Sequence, residues 1–290
     1  MNGILLIDKA EGWTSSDVVI KLKGVLRERR VGHSGTLDPM ATGLLAVFVG
    51  RATRAVEFAE AHDKRYTAGL RLGVTTDTQD VTGSVLRSCQ ANVAEDELKA
   101  VLTRFTGELE QIPPMYSAIK INGQKLYDIA RRGGEVERRP RHITVSGISV
   151  VGRNGNDFVL DISCSKGTYI RTLCNDIGDA LGCGGCMSSL RRTAAGDFSV
   201  SQAYTIDEVV AAAAAGEAGK LLLPTDSMFA ALPRCTAGAQ DERRIKNGNE
   251  IKTPALADGD YRVYSDSGEF LMLGRAENGR MRTIKSFFEV

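Results

Sequence analysis

Gly32-His33-Ser34-Gly35-Thr36-Leu37-Asp38-Pro39-Met40-Ala41-Thr42-Gly43 is the densest run of chemically useful residues in the chain. Three glycines let the backbone turn and approach a ligand closely. Pro39 biases Asp38 toward an extended conformation, so its carboxylate rides on a stiff, non-helical segment. Residues 31–43 read as a loop leading into a buried strand over 44–49, which is apolar throughout. Upstream, 3–8 reads as a short strand. Thr14-Ser15-Ser16-Asp17 then offers N-cap candidates for a helix with Val18, Leu22, Val25 and Leu26 on one face.

Beyond the loop, Tyr66, Ala68, Leu70 and Leu72 alternate with polar or small residues, the pattern of a half-buried strand. Residues 75–83 form an acidic turn, and 94–105 an amphipathic helix that Pro113-Pro114 stops short. A strand-like stretch over 116–121, a turn at Asn122-Gly123 and a short basic helix over 125–132 follow. Residues 142–151 and 158–163, joined through Asn154-Gly155-Asn156, predict a hairpin, and 168–181 a helix stopped at Gly182. Pro224 and Pro233 bracket a linker. After it, short segments are spaced by Asn247-Gly248, Asp258-Gly259, Ser267-Gly268 and Asn278-Gly279, as in a small β-barrel or open sheet. The expected architecture is α+β followed by a small, mostly β module.

The 37 basic and 36 acidic side chains nearly cancel but are unevenly placed. Residues 21–54 hold seven basic against two acidic, and 120–142 seven against three. Such clusters suit a polyanionic partner, although solvated helix faces would produce them too. No apolar run approaches the roughly 18–20 residues of a membrane span, and the N-terminus lacks a basic flank with a long apolar stretch, so a soluble, cytoplasmic protein is expected. Cys183-Gly184-Gly185-Cys186 has ligand spacing but would need Cys164 or Cys174 and has no histidine near it, so no metal is expected. Neither a Gly-x4-Gly-Lys-Ser/Thr loop nor a dinucleotide-binding glycine pattern occurs, and no cofactor is expected.

Several blocks, in order, carry a resemblance. They are Asn2-Gly3-Ile4-Leu5-Leu6-Ile7-Asp8-Lys9 with Thr14-Ser15, the 32–44 loop, Lys64-Arg65-Tyr66, and Leu72-Gly73 with Thr76-Asp77-Thr78. Further on come Gln111-Ile112-Pro113-Pro114-Met115-Tyr116-Ser117-Ala118-Ile119-Lys120, Gly123-Gln124-Lys125-Leu126-Tyr127, Cys164-Ser165-Lys166-Gly167-Thr168-Tyr169-Ile170-Arg171-Thr172 and Leu190-Arg191-Arg192. The chain resembles the bacterial tRNA pseudouridine synthase B (TruB) family along nearly its whole length. The resemblance implies a pseudouridine synthase fold, a mainly antiparallel sheet flanked by helices, over 1–228, with an RNA-gripping insertion at about 120–142. The segment 232–290 resembles the PUA RNA-binding fold.

What the family implies is conversion of one uridine in the T-loop of tRNA, position 55, to pseudouridine by a stand-alone, monomeric enzyme. That rearrangement needs no oxidant or group donor. By motif match Asp38 is the catalytic carboxylate, either attacking carbon or taking a proton. The resemblance assigns its opposing guanidinium to Arg191 rather than Arg192, and base stacking with C5 deprotonation to Tyr66. His33 is a space-filling, positioning residue. Gly35, Lys64, Arg65, Tyr127, Lys166, Tyr169 and Arg171 are the remaining expected substrate contacts. Two other readings stay open: a non-catalytic RNA binder, and a guide-RNA-dependent relative working inside a multiprotein particle.

Overall fold

A computed structural model describes residues 1–117, 119–121, 123–154 and 157–289, with Lys120 and Lys125 described as backbone only. Asn122 of the expected 122–123 turn, and Gly155-Asn156 of the expected hairpin connection, lie outside the described residues.

Apolar alternation on both sides of the first strands builds the centre. In β1 (Gly3–Lys9), Leu5 and Ile7 enter one core while Ile4 and Leu6 enter another. The strand that follows helix α1 (Ser15–Leu26) and the short β2 (Val31–Ser34) is β3 (Thr42–Val49), and it divides its side chains the same way. Strands buried on both faces read as continuous apolar runs. Thr14 and Asp17 close a reciprocal capping box at the start of α1, as the N-cap candidates predicted.

Helix α2 (Val56–Glu60) leads to β4 (Lys64–Leu72), and a side hairpin of β5 (Val74–Thr76) and β6 (Val85–Ser88) follows. Helix α3 (Glu95–Leu102) continues as one 3-10 turn, then comes β7 (Gly107–Gln111). The insertion holds β8 (Lys120–Ile121), β9 (Gln124–Lys125) and α4 (Leu126–Ala130). The hairpin strands are β10 (Arg141–Asn154) and β11 (Asp157–Cys164), followed by α5 (Ile170–Ala180), β12 (Gly185–Ala195), β13 (Phe198–Ser199) and α6 (Ile206–Ala214). The main sheet runs β1-β3-β12-β4-β11-β10-β7, with β2 on β3 and β13 on β12. All its pairings are antiparallel except β3 with β12.

Two features depart from the sequence reading. Val31–Ser34, expected as loop, is strand β2, because its backbone pairs with Val49 through Ala46 on β3 despite a composition poor in strand formers. Strand β12 carried no secondary-structure expectation, since Gly-Cys-Met-Ser-Ser has no apolar alternation. Its small residues fit a tight crossing, where a Cβ on Gly69 of β4 would stand 2.3 Å from Ser188 Oγ.

The edge of β3 facing β12 changes partner along its length. Ala46 to Val49 pair with β2, whereas Thr42 and Gly43 pair with Arg191 and Arg192 of β12. The segment between β2 and β3 is expelled at this switch, and it carries Asp38.

The C-terminal sheet is ordered β14 (Arg234–Ala237), β16 (Gly259–Ser265), β17 (Phe270–Glu277), β18 (Arg280–Ser286), β15 (Ile251–Lys252), with helix α7 (Ala239–Lys246) against it. It is a curled, PUA-like sheet. The expected linker between Pro224 and Pro233 is packed rather than free: Phe229 is buried, with ring centroids 5.3 Å from Phe58, 6.2 Å from Phe270 and 6.0 Å from Phe287. One apolar core therefore joins the main sheet to the C-terminal sheet.

Candidate active site

Side chains from outside the Asp38 loop hold its backbone. Ser15, buried at the start of α1, accepts from Leu37 N at 2.9 Å and donates to Leu37 O at 3.1 Å. Lys9, fully buried at the end of β1, donates to Trp13 O at 2.7 Å, Ala10 O at 2.9 Å and Pro39 O at 3.4 Å. Burial lowers the Lys9 pKa, and the Asp38 carboxylate opposes that shift. Within the loop Ala41 N donates to Asp38 O, and Gly12 N donates to Pro39 O. These bonds fix the direction in which the Asp38 side chain leaves the backbone.

The Asp38 carboxylate, 39% exposed, meets Arg171: Nε stands 3.1 Å from Oδ2. Arg171 comes from the first turn of α5 and is only 8% exposed. Its Nη1 reaches Asp80 Oδ2 at 3.4 Å and Thr78 O at 3.3 Å, and its Nη2 donates to Tyr116 O at 2.9 Å. Asp80 is itself fixed, accepting from Thr82 N and from the hydroxyls of Thr78 and Thr82. Gln111 pins the start of α5 by accepting from Tyr169 N and donating to Tyr169 O. Desolvation pushes the Asp38 carboxyl above the usual carboxylate range. Arg171 and then Lys9 oppose the shift, while Asp80 adds to it.

The expectation that Arg191 opposes Asp38 is corrected here. Arg191 Nη2 lies 2.6 Å from Asp8 Oδ2, and its Nη1 3.0 Å from Asp8 Oδ1. It stands on β12 opposite Thr42, and its guanidinium runs back along the sheet to the end of β1. Arg171, expected among the substrate contacts, holds Asp38 instead, because its buried guanidinium is committed to two carboxylates and two main-chain carbonyls.

Tyr66 is buried on β4, in register with Ile162 on one side and Arg192 on the other. Burial raises its phenol pKa, and the neighbouring Arg192 opposes that. His33 sits on β2 with Nδ1 buried and no hydrogen-bond partner among the described residues. Burial, reinforced by Arg192, lowers its pKa and favours the neutral ring. Gly35 has φ +67°, and a Cβ there would lie 3.1 Å from Arg192 Nη1.

Other expected contacts scatter. Lys64 is buried beneath the loop, donating to Glu60 O at 2.8 Å and His62 O at 2.5 Å. Arg65 is corrected as a pocket contact: successive strand residues face opposite ways, and it pairs with Asp161 on the side of β4 away from Tyr66. Lys166 is exposed in the β11–α5 turn, where Tyr169 is half-buried. Tyr127 lies on α4 of the insertion, 5.4 Å under the Arg131 guanidinium, with its backbone N donating to Ser117 O. Lys9, Ser15, Asp80 and Gln111 were not singled out from sequence. The available signal was their place in the blocks that carry the resemblance, which hold Lys9, Ser15 and Gln111.

Two family models match the chain. The TruB family pseudouridylate synthase N-terminal domain covers residues 23–170, and the tRNA pseudouridylate synthase B C-terminal domain covers 171–230. The tRNA pseudouridine synthase B of Azoarcus sp. (strain BH72) is 42% identical over 97% of this chain and 93% of its own length. That of Clostridium kluyveri is 39% identical over 99% and 100%. Among solved structures, a chain in a Cbf5-Nop10-Gar1 complex aligns with TM-score 0.76 and 27% identity over 99% of this chain and 85% of that one. A chain of an H/ACA RNP bound to a substrate RNA containing 2'-deoxyuridine gives 0.75 and 25%, over 99% and 85%.

Proposed function

The chain belongs to the TruB family of pseudouridylate synthases, and on that premise we propose that it converts one uridine of tRNA, at position 55 in the T-loop, to pseudouridine. The observation that carries the reading is the Asp38 carboxylate, presented on a side-chain-braced loop and held by the Arg171 guanidinium at 3.1 Å.

The rearrangement breaks the N1–C1′ bond, turns the uracil and joins C5 to C1′. The C5 proton leaves and N1 gains one, so no redox partner or donor enters. Asp38 serves either as a nucleophile toward carbon or as a base toward a sugar proton, and both roles require the ionised carboxylate. Desolvation opposes that ionisation, and Arg171 supplies the compensating charge. A base stacked in a folded loop must first be swung out, at a cost of about a few kcal/mol. Tyr66, on the strand beside the loop, stacks on the everted base and takes the C5 proton. His33, half-buried, fills space beside it. The insertion at 120–142 grips the loop of the RNA, and the 232–290 module adds a second RNA contact to the 1–228 catalytic unit.

We assign the chain to the stand-alone, monomeric, cytoplasmic form rather than a guide-RNA-dependent particle. Support comes from 42% identity with a tRNA pseudouridine synthase B against 27% with the chain from the Cbf5-Nop10-Gar1 complex. Purified chain, with no other protein, is incubated with a tRNA transcript carrying tritium at uracil C5. Release of one label per tRNA, abolished when the T-loop uridine is replaced, is the expected result. Binding without release would leave only an RNA-binding role, and release only after adding partner proteins would favour the particle.

A further inference from the structure

We propose that Arg192 is a positioning residue that clamps both ends of the Asp38 loop, so that one buried guanidinium sets where the carboxylate stands. The inference rests on the isomerisation reading for its kinetic arm only.

Arg192 is 2% exposed and lies in the middle of β12. Its backbone is in register with Gly43, where the loop re-enters β3. The approach is so close that a Cβ on Gly43 would fall 2.3 Å from Arg192 O and 2.8 Å from Arg192 N. The side chain then grips both sides of the loop. Nε donates to Leu44 O at 2.7 Å, just past the exit, and Nη2 donates to Gly35 O at 2.9 Å, at the entry. Among the described residues Arg192 makes no ion pair; its guanidinium is met by main-chain carbonyls and has the Tyr66 phenol beside it. The two acceptors lie on either side of the loop, and the rigid guanidinium fork spans them; a lysine offers one point charge in place of that fork.

The loop departs where β3 exchanges β2 for β12; Gly43 and Leu44 are paired with β1, but no strand pairing holds residues 35–41. Arg192 supplies that tie. Ser15 and Lys9 brace the loop's middle from α1 and β1, respectively, whereas Arg192 fixes its span.

The test compares the full-length parent with Arg192→Lys and Gly35→Ala. The second variant keeps every charge and places a methyl group 3.1 Å from Nη1. Hydrogen exchange of the 36–43 amides is expected to quicken in both variants, with β4 and β11 unchanged. Tritium release is expected to fall about a hundredfold at unchanged affinity for the RNA, the loss that a misplacement of about 1 Å produces. The double variant should be no slower than the worse single one. Parent-like exchange in Arg192→Lys, or a loss confined to RNA affinity, overturns the clamp. If Arg192→Lys does not fold, Gly35→Ala decides: parent-like exchange and rate reject the proposal. An inactive parent would sink the isomerisation reading, while the exchange data would still judge the clamp.

Discussion

Asp38 Oδ2 and Arg171 Nε stand 3.1 Å apart, and the same guanidinium reaches Asp80 Oδ2 at 3.4 Å. One buried cation thus serves two carboxylates, one on a loop that opens to solvent and one sealed in a turn. Asp80 anchors Arg171, and Arg171 holds Asp38.

Replacing Asp38 with Asn keeps shape and removes charge. Tritium release should fall at least about a thousandfold, while binding of the T-stem-loop changes little. Single-turnover release and a filter-binding titration measure the two effects separately.

The two arginines should separate cleanly. Arg171→Met strands two carboxylates, one of them buried, and should cost about 3–5 kcal/mol of stability along with most of the activity. Arg191→Ala breaks a pair whose side chains are 42% and 29% exposed, and should cost less than about 1 kcal/mol. Urea unfolding of the three proteins checks this. Equal losses for both variants would refute the assigned partnership.

The pH dependence has a fixed sign. In the proposed reaction only ionised Asp38 acts, and its pKa is raised, so kcat/KM should climb with pH along a one-proton limb centred above 3.8, the ordinary Asp value. Arg171→Met should move that limb further up, because it removes the largest opposing influence. For stability the sign reverses. The folded chain binds this proton more tightly than the unfolded one, so Asp38 favours folding at low pH, and that contribution is lost as pH rises through its folded value. A pH–rate profile of parent and variant reads the shift.

Ser15→Ala leaves the amide and carbonyl of Leu37 without their buried partner. The expected loss is about 1–3 kcal/mol, accompanied by slower turnover with RNA affinity intact. Thermal unfolding and steady-state kinetics test both.

Phe229→Ala empties the contact among Phe58, Phe270 and Phe287. A loss of about 3–5 kcal/mol is expected, with faster proteolysis near 230–233. Cleavage at the parent's rate would mean that the two sheets do not depend on this core.

Much was legible along the chain because it is written in local chemistry. Short apolar runs located β1 and β3, alternation located β4, a turn-linked pair of segments located β10 and β11, the N-cap candidates at 14–17 located α1, and the Gly-rich Asp-Pro run located the loop bearing Asp38. Strand β12 was not, since its Gly, Cys and Ser residues are chosen for a close crossing with Gly69 and carry no periodic apolar signal. Nor was the partner of Asp38. Arg171, Arg191 and Arg192 are chemically alike, and each sits in a motif. Strand register turns Arg191 toward Asp8 and buries Arg192 under Gly35, and the packing of α5 beside the Thr78–Asp80 turn delivers Arg171. Residue type and spacing fix which groups are available. Which guanidinium neutralises which carboxylate is settled only by distance in the folded chain, because charge interactions fall away over a few ångströms of direction and separation that no one-dimensional pattern encodes.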